Sequence, residues 1–202
     1  MISFEGLLAL IVAASGALAV TTARRGAWVA LAALVAAATL LEYRPTAGLP
    51  IGLIARVAAV GAALSFTLPA GLFDRDGLRR DLAPRNLAIA FAAHPVASAS
   101  AVAGLVLGAI PLALPIEAAS APARAAGVAL LLVGIPPLLT SRYVEATSRA
   151  AIVAISGTLL LRASILGPLD PAAAVAVAGG LAVVLVVGSF VADTIAAADE
   201  GA

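Results

Sequence analysis

The sequence predicts an all-α, polytopic membrane protein with about seven transmembrane helices. Of its 202 residues, 63% are hydrophobic and 11% are charged, and the mean hydropathy is +1.13. Soluble domains carry about 25% charged residues, so 12 basic and 11 acidic side chains are too few to cover a soluble fold of this size. Continuous apolar runs of about 20 residues are typical of membrane helices, whereas membrane β-barrels show alternating strands.

The apolar runs are separated only by short segments, so we predict a single integral membrane domain over residues 1–202. The predicted spans are about 4–22, 26–41, 50–70, 87–116, 125–140, 150–166 and 172–192. We do not expect the first run to be a cleaved signal peptide, because no basic segment precedes it and Glu5 lies at its start. Arg24 and Arg25 end this run, and a polar link at 42–45 ends the second.

The third span contains Arg56 and is followed by the one strongly charged loop, at 71–86. The fourth run, 87–116, would be about 45 Å long as one helix, against a hydrocarbon core of about 30 Å. Pro95, Pro111 and Pro115 are candidate break points, because proline lacks an N–H and clashes with the preceding turn. We therefore predict one kinked helix with an irregular end, and a helix plus a short surface piece is the alternative.

The last three spans are each shorter than the fourth, and the sequence marks their ends. Pro136 and Pro137 lie near the end of the fifth, and Arg142 and Arg149 belong to the segment before the sixth. The sixth contains Arg162, and a Gly-Pro-Leu-Asp-Pro turn at 167–171 separates it from the seventh.

The arginine distribution predicts the orientation. With seven spans, eight arginines fall in the 1–2, 3–4 and 5–6 loops, and only Arg44 and Arg124 fall on the opposite side. Because cytoplasmic loops are enriched in basic residues, this asymmetry places the N-terminus outside and the C-terminus in the cytoplasm. An arginine-only, alanine-rich composition indicates a bacterial protein, so we expect it in the bacterial cytoplasmic (inner) membrane.

Ionisable residues inside a bilayer are costly and usually face protein or water. Arg56 and Arg162 both lie in the predicted outer half of the membrane. One interpretation is that each extends its guanidinium to the outer interface. The other is that one or both face a hydrated path or pair with a carboxylate of a partner subunit.

His94 lies in the predicted cytoplasmic half of the fourth span, directly before Pro95. This proline deprives the Phe91 carbonyl of its helical donor, and Ser98 lies one turn beyond His94 on the same face. A histidine and a hydroxyl beside broken backbone are suited to holding water and relaying protons. The alternative is a neutral histidine that only bonds a carbonyl or a neighbouring helix.

Glycine pairs predict close helix packing. Gly104 and Gly108 form a small-xxx-small pair, and Gly179, Gly180 and Gly157 lie within other predicted helices. The chain has no Cys and one His, so we predict no metal or cofactor bound by it. The net charge of +1 indicates no nucleic-acid partner.

The order of these features resembles the E-type membrane component of formate-hydrogenlyase-like, energy-converting hydrogenase complexes, whose C-terminal half is similar to the K subunit of respiratory complex I. Arg56 in the third span is similar to that family's intramembrane basic residue. The stretch 127–161, with Thr-Ser-Arg ending at Arg142 and a Ser-Gly-Thr core at 156–158, is similar to a helix, turn and helix of the family. The resemblance implies antiporter-like and other integral membrane subunits, with lipid, as partners, and redox cofactors on partner subunits of the complex instead of on this chain.

Two departures from the family bear on function. The resemblance implies a carboxylate in the helix after the Thr-Ser-Arg turn and another in the last helix, but Ile152 or Ile155 and Gly180 occupy these positions. We therefore expect a non-catalytic subunit with a structural or path-lining role in redox-coupled ion translocation. A small stand-alone or homo-oligomeric transporter or channel is the alternative, because proline-broken helices often mark substrate sites.

Overall fold

The computed structural model describes residues 3–22, 24–42, 51–67, 83–110, 120–167 and 169–200, and these ranges contain helices, turns and irregular segments but no strand. The helices are α1 (Phe4–Thr21), α2 (Arg24–Glu42), α3 (Ile51–Thr67), α4 (Pro84–Ala93), α5 (Pro95–Leu107), α6 (Ala121–Thr140), α7 (Val144–Leu166) and α8 (Pro171–Glu200). The predicted all-α class is confirmed. The charged loop, apart from its last residues, and Pro111 and Pro115 lie outside the described residues.

Four helices are long and apolar enough to cross a membrane by length and composition. They are α1, α6, α7 and the first part of α8, Pro171–Gly188. Shorter apolar segments lie in α2, α3 and α5. The chain is therefore a helical protein suited to a membrane, while the count of seven spans and the orientation stay predictions.

Short-range chemistry explains where several helices begin and end. The hydroxyls of Ser3 and Ser120 accept hydrogen bonds from the first turns of α1 and α6, and Asp170 Oδ1 accepts one from the Ala173 N–H at 2.8 Å. Such caps satisfy N–H groups that have no partner within the helix. Gly167 follows α7 with a φ of +84°, a backbone conformation that residues other than glycine rarely adopt.

The bundle has two ends, which we name by the elements they contain. One end, which we call the α6–α7 end, contains a cleft. Its lining includes Thr22 after α1, His94 between α4 and α5, and Ser141 after α6. Gly6 on α1 and Pro122 on α6 lie together near Gly108, which follows α5, and they define the opposite end. Consequently α5 runs antiparallel to both α1 and α6.

Helices α6 and α7 contact each other through their backbones. A Cβ atom added to Gly127 would lie 2.8 Å from the Leu161 nitrogen, and one added to Gly134 would lie 2.8 Å from the Ala154 nitrogen. On the facing helix, a Cβ atom added to Gly157 would lie 2.9 Å from the Gly127 oxygen. The three glycines therefore set the distance between the helices, as small residues do in membrane bundles.

Helices α1 and α5 pack on this pair. Gly16 of α1 faces the side chain of Leu130, and a Cβ atom added to Gly16 would lie 3.5 Å from Val153 Cγ1. On α5, a Cβ atom at Gly104 would lie 2.7 Å from the Ala129 oxygen, and one at Gly108 would lie 2.8 Å from the Ala129 Cα. Gly104 and Gly108 thus lie at a close contact between α5 and α6.

Gly179 and Gly180 differ from the other glycines of the sequence prediction. Both are exposed, and a Cβ atom at either position would meet nothing within 4 Å. They make no close contact with another described helix, because the side of α8 that packs on α3 and α7 is formed by other residues, among them Leu181 and Leu185.

The fourth apolar run breaks at the first of its three prolines. Helix α4 ends at Ala93 and α5 begins at Pro95, and Ser98 Oγ lies 2.7 Å from the Phe91 oxygen and 3.0 Å from the His94 oxygen. The serine hydroxyl therefore replaces the N–H that proline removes from the Phe91 carbonyl. Because His94 lies at the α6–α7 end, helix α5 begins at this end of the bundle, and helix α4 comes before it in the chain.

Pro136 and Pro137 lie within α6 and do not end it, since the helix continues to Thr140. Pro137 removes the donor for the Val133 carbonyl. Ser100 Oγ on α5 lies 3.2 Å from this carbonyl oxygen and 2.8 Å from the Ala97 oxygen, in a buried position. A serine on one helix thus satisfies a carbonyl freed by a proline on its neighbour.

We predict opposite effects for the same substitution at two glycines. Gly127→Ala should lower the free energy of unfolding by about 1–3 kcal/mol, because the new methyl group overlaps α7. Gly179→Ala should leave it unchanged or raise it, since the site is open and alanine favours helix. Denaturation by sodium dodecyl sulfate in mixed micelles, followed by circular dichroism, measures both, and equal losses would contradict the packing described.

We also predict that Ser100→Ala lowers the free energy of unfolding by about 1 kcal/mol, the range measured for hydrogen bonds between membrane helices. In a Pro137→Ala background the same serine substitution should cost less, because residue 137 then supplies the missing N–H. A double-mutant cycle over the two positions measures this coupling. Strictly additive effects would show that Ser100 does not serve the Val133 carbonyl.

Candidate functional site

A cleft of about 490 Å³ opens at the α6–α7 end. This volume falls in the range of small-molecule sites. Its lining contains the ionisable residues His94, Arg142, Tyr143, Glu145 and Arg149. The cleft exists because three chain breaks, after α1, between α4 and α5, and between α6 and α7, meet there.

His94 lies at the rim of this cleft and not within a continuous helix. Its backbone, with φ of −124° and ψ of 70°, precedes the first turn of α5, and its side chain makes no capping hydrogen bond. The imidazole is exposed. The expected pairing of His94 with Ser98 occurs through the backbone, because Ser98 donates to the Phe91 and His94 carbonyls.

Arg149 connects α7 to the end of α1 across the same cleft. Its Nη1 lies 3.1 Å from the Thr22 oxygen and 3.5 Å from the Ala19 oxygen. Its Nη2 lies 3.8 Å from Glu145 Oε1 one turn earlier. A cation at a helix C-terminus complements the partial negative charge of the last carbonyls, and the carboxylate of Glu145 already has a basic neighbour.

Arg142 and Tyr143 are the outward-facing members of the cleft. Tyr143 is 74% exposed, and Arg142 is exposed and makes no hydrogen bond or ion pair with a described residue. The cleft therefore offers a cation, an imidazole and a phenol, while its one carboxylate is neighboured by Arg149. This set of groups is suited to binding an anion or water.

Arg56 lies at the other end of the bundle and forms a buried ion pair. Its Nη1 lies 2.8 Å from Glu42 Oε1, and both side chains are 5% exposed. The partner of Arg56 is thus a carboxylate of the same chain, at the last residue of α2. The structure shows neither extension of this guanidinium to the interface nor pairing with another subunit. The pair fixes α3 against α2 and satisfies a charge that would otherwise be unpaired in apolar surroundings.

Arg162 also has a local structural contact. Its Nη1 donates to the Gly167 carbonyl at 3.2 Å, five residues later and directly after α7. The guanidinium therefore reaches toward the end of its own helix, where the helix dipole favours a cation. This geometry agrees with extension toward the interface, which was one of the two interpretations of this residue.

The structure does not unite the candidate polar residues into one site. His94 and Ser98 lie at the α6–α7 end, whereas Arg56 and Arg162 lie toward the opposite end. Sequence reasoning missed Glu42 as the partner of Arg56. The signal was present, because a carboxylate that ends one apolar run and an arginine near the start of the next face each other in an antiparallel helix pair.

We predict that Arg56→Ala lowers the free energy of unfolding by about 3–5 kcal/mol, because it leaves the buried Glu42 carboxylate without a cation. The double variant Glu42→Gln/Arg56→Met should lose much less, since neither charge remains. Denaturation in mixed micelles measures both. Equal stability of wild type and Arg56→Ala would show that the buried Glu42 carboxylate does not depend on Arg56.

No protein-family model matches this chain, and no curated protein or solved structure matches it either. Within the described residues, no group of three or more His, Cys, Asp or Glu side chains is arranged to hold a metal ion.

Proposed function

We propose that this chain is a non-catalytic integral membrane subunit of a multi-subunit, complex I-like or energy-converting-hydrogenase-like complex, with a structural or path-lining role in redox-coupled ion translocation. Its partners are antiporter-like and other integral membrane subunits, and the redox cofactors belong to partner subunits of the same complex. The sequence resemblance around Arg56, Arg142 and the 156–158 core supports this family of complexes.

The observation that carries the proposal is the exposed side of α8. In its apolar part, Pro171–Gly188, only 28% of the residues are buried, against 44 to 56% in the apolar parts of α1, α6 and α7. Gly179 and Gly180 lie on this exposed surface with open space around them. Small residues are enriched where membrane helices contact each other, so a helix of a neighbouring subunit fits this surface.

The positions of the two missing carboxylates support a structural role. Ile152 is fully buried in the apolar core of α7, and Gly180 lies on the exposed surface of α8. Arg56 and Arg162 both make structural contacts within the chain. Residues that carry protons directly are therefore expected on partner subunits.

We predict that an affinity-tagged copy, purified from its native membrane in a mild detergent, brings antiporter-like subunits with it. Gly180→Leu should lower their recovery because leucine fills the open space on α8, while the subunit itself stays folded. Val186→Leu, an exposed position on another side of α8, is the matched control. Quantitative mass spectrometry measures recovery, and a lone chain in the wild-type preparation would contradict the proposal.

A transporter or channel that acts alone or as a homo-oligomer is the second candidate, and the cleft beside the broken helix at His94 favours it. Purified protein in liposomes distinguishes the two functions. Solute flux through the isolated chain supports the transporter, and co-purification without flux supports the subunit.

A further inference from the structure

A groove of about 420 Å³ runs between α7 and α8 from the α6–α7 end of the bundle. Its walls are mostly apolar: Val144, Thr147, Ser148 and Ala151 on α7, and Val183, Val184, Val187 and Gly188 on α8. Its floor is tight, because a Cβ atom at Gly188 would lie 2.6 Å from Ser148 Oγ. An apolar groove between two helices fits a hydrocarbon chain.

Arg142 lies at the mouth of this groove and also lines the polar cleft described above. Its guanidinium makes no ion pair with a described residue and is available to bind an anion. The Glu145 carboxylate lies 3.8 Å from Arg149, and no other carboxylate among the described residues lines the cleft. The one charged side chain in the described lining of the groove is therefore a cation, Arg142.

Tyr143 marks the level of the membrane interface at this end. Its ring is 74% exposed, and tyrosines of membrane proteins are enriched at the depth of the lipid headgroups. Arg142 is its neighbour in sequence, so the guanidinium lies at headgroup depth. The groove extends from that depth along the apolar sides of α7 and α8.

We propose that this site binds one anionic phospholipid, with its phosphate on Arg142 and an acyl chain in the groove between α7 and α8. A soluble anion would use the cation but leave the apolar groove unfilled. A zwitterionic lipid would fill the groove but gain less from the cation, since its headgroup has no net charge. The proposal does not depend on the complex in which the chain works.

The test is a titration of the full-length chain, delipidated in a neutral detergent, with phosphatidylglycerol or with phosphatidylcholine of the same acyl chains. Native mass spectrometry counts the bound lipids. One basic side chain at a membrane surface is worth about a fivefold preference for an anionic lipid. We expect this preference in the wild type and its loss in Arg142→Ala.

Two matched controls locate the site. Arg85→Ala removes an exposed arginine that lines neither the cleft nor the groove, and it should keep the preference. Ala151→Leu fills the groove and should weaken binding of both lipids, whereas Val186→Leu, outside the groove, should not. Circular dichroism melting of each variant shows that a loss of binding is not a loss of fold.

Three outcomes would overturn the proposal. The preference could be the same in Arg142→Ala as in the wild type, or Arg85→Ala could abolish it equally, and either would move the anion site elsewhere. Inorganic phosphate that displaces phosphatidylglycerol at equal concentration would assign the site to a free anion instead of a lipid.

Discussion

The backbone contact between α6 and α7 is the interaction on which the rest of the bundle depends. Gly127, Gly134 and Gly157 bring the two helices so close that main-chain atoms of one face main-chain atoms of the other. In lipid, where apolar side chains gain little by leaving one apolar medium for another, such packing supplies much of the association energy. Helix α1 then packs on the pair through Gly16 and helix α5 through Gly104.

A second constraint is that backbone carbonyls freed by proline need a donor when no water is near. Two of them, the carbonyls of Phe91 and Val133, accept hydrogen bonds from the hydroxyls of Ser98 and Ser100, which both belong to α5. Each hydroxyl has one proton and lies within reach of two carbonyls. The chain can therefore contain prolines in apolar helices at the cost of two small polar side chains.

Local features of the sequence predicted much of the fold, and pairing between helices did not follow as easily. Helix type and the break at Pro95 were predictable, because apolar length and the missing proline N–H act within one segment. The partner of Arg56 was not, because it depends on the relative positions of α2 and α3. Small-residue patterns were ambiguous for a related reason. The sequence predicts close helix packing at both Gly104 and Gly179, and only the packing of the whole bundle determines that Gly104 contacts another helix of this chain and Gly179 does not.

The link from Arg149 to α1 has a consequence for biogenesis. Its acceptor, the Thr22 carbonyl, precedes it by 127 residues, which corresponds to about 6–25 s of translation at 5–20 residues per second. Throughout that interval the C-terminal carbonyls of the first helix lack this donor and must rely on headgroup water or the insertion machinery. The end of the bundle that contains the cleft is therefore closed only after the seventh helix has begun to emerge from the ribosome.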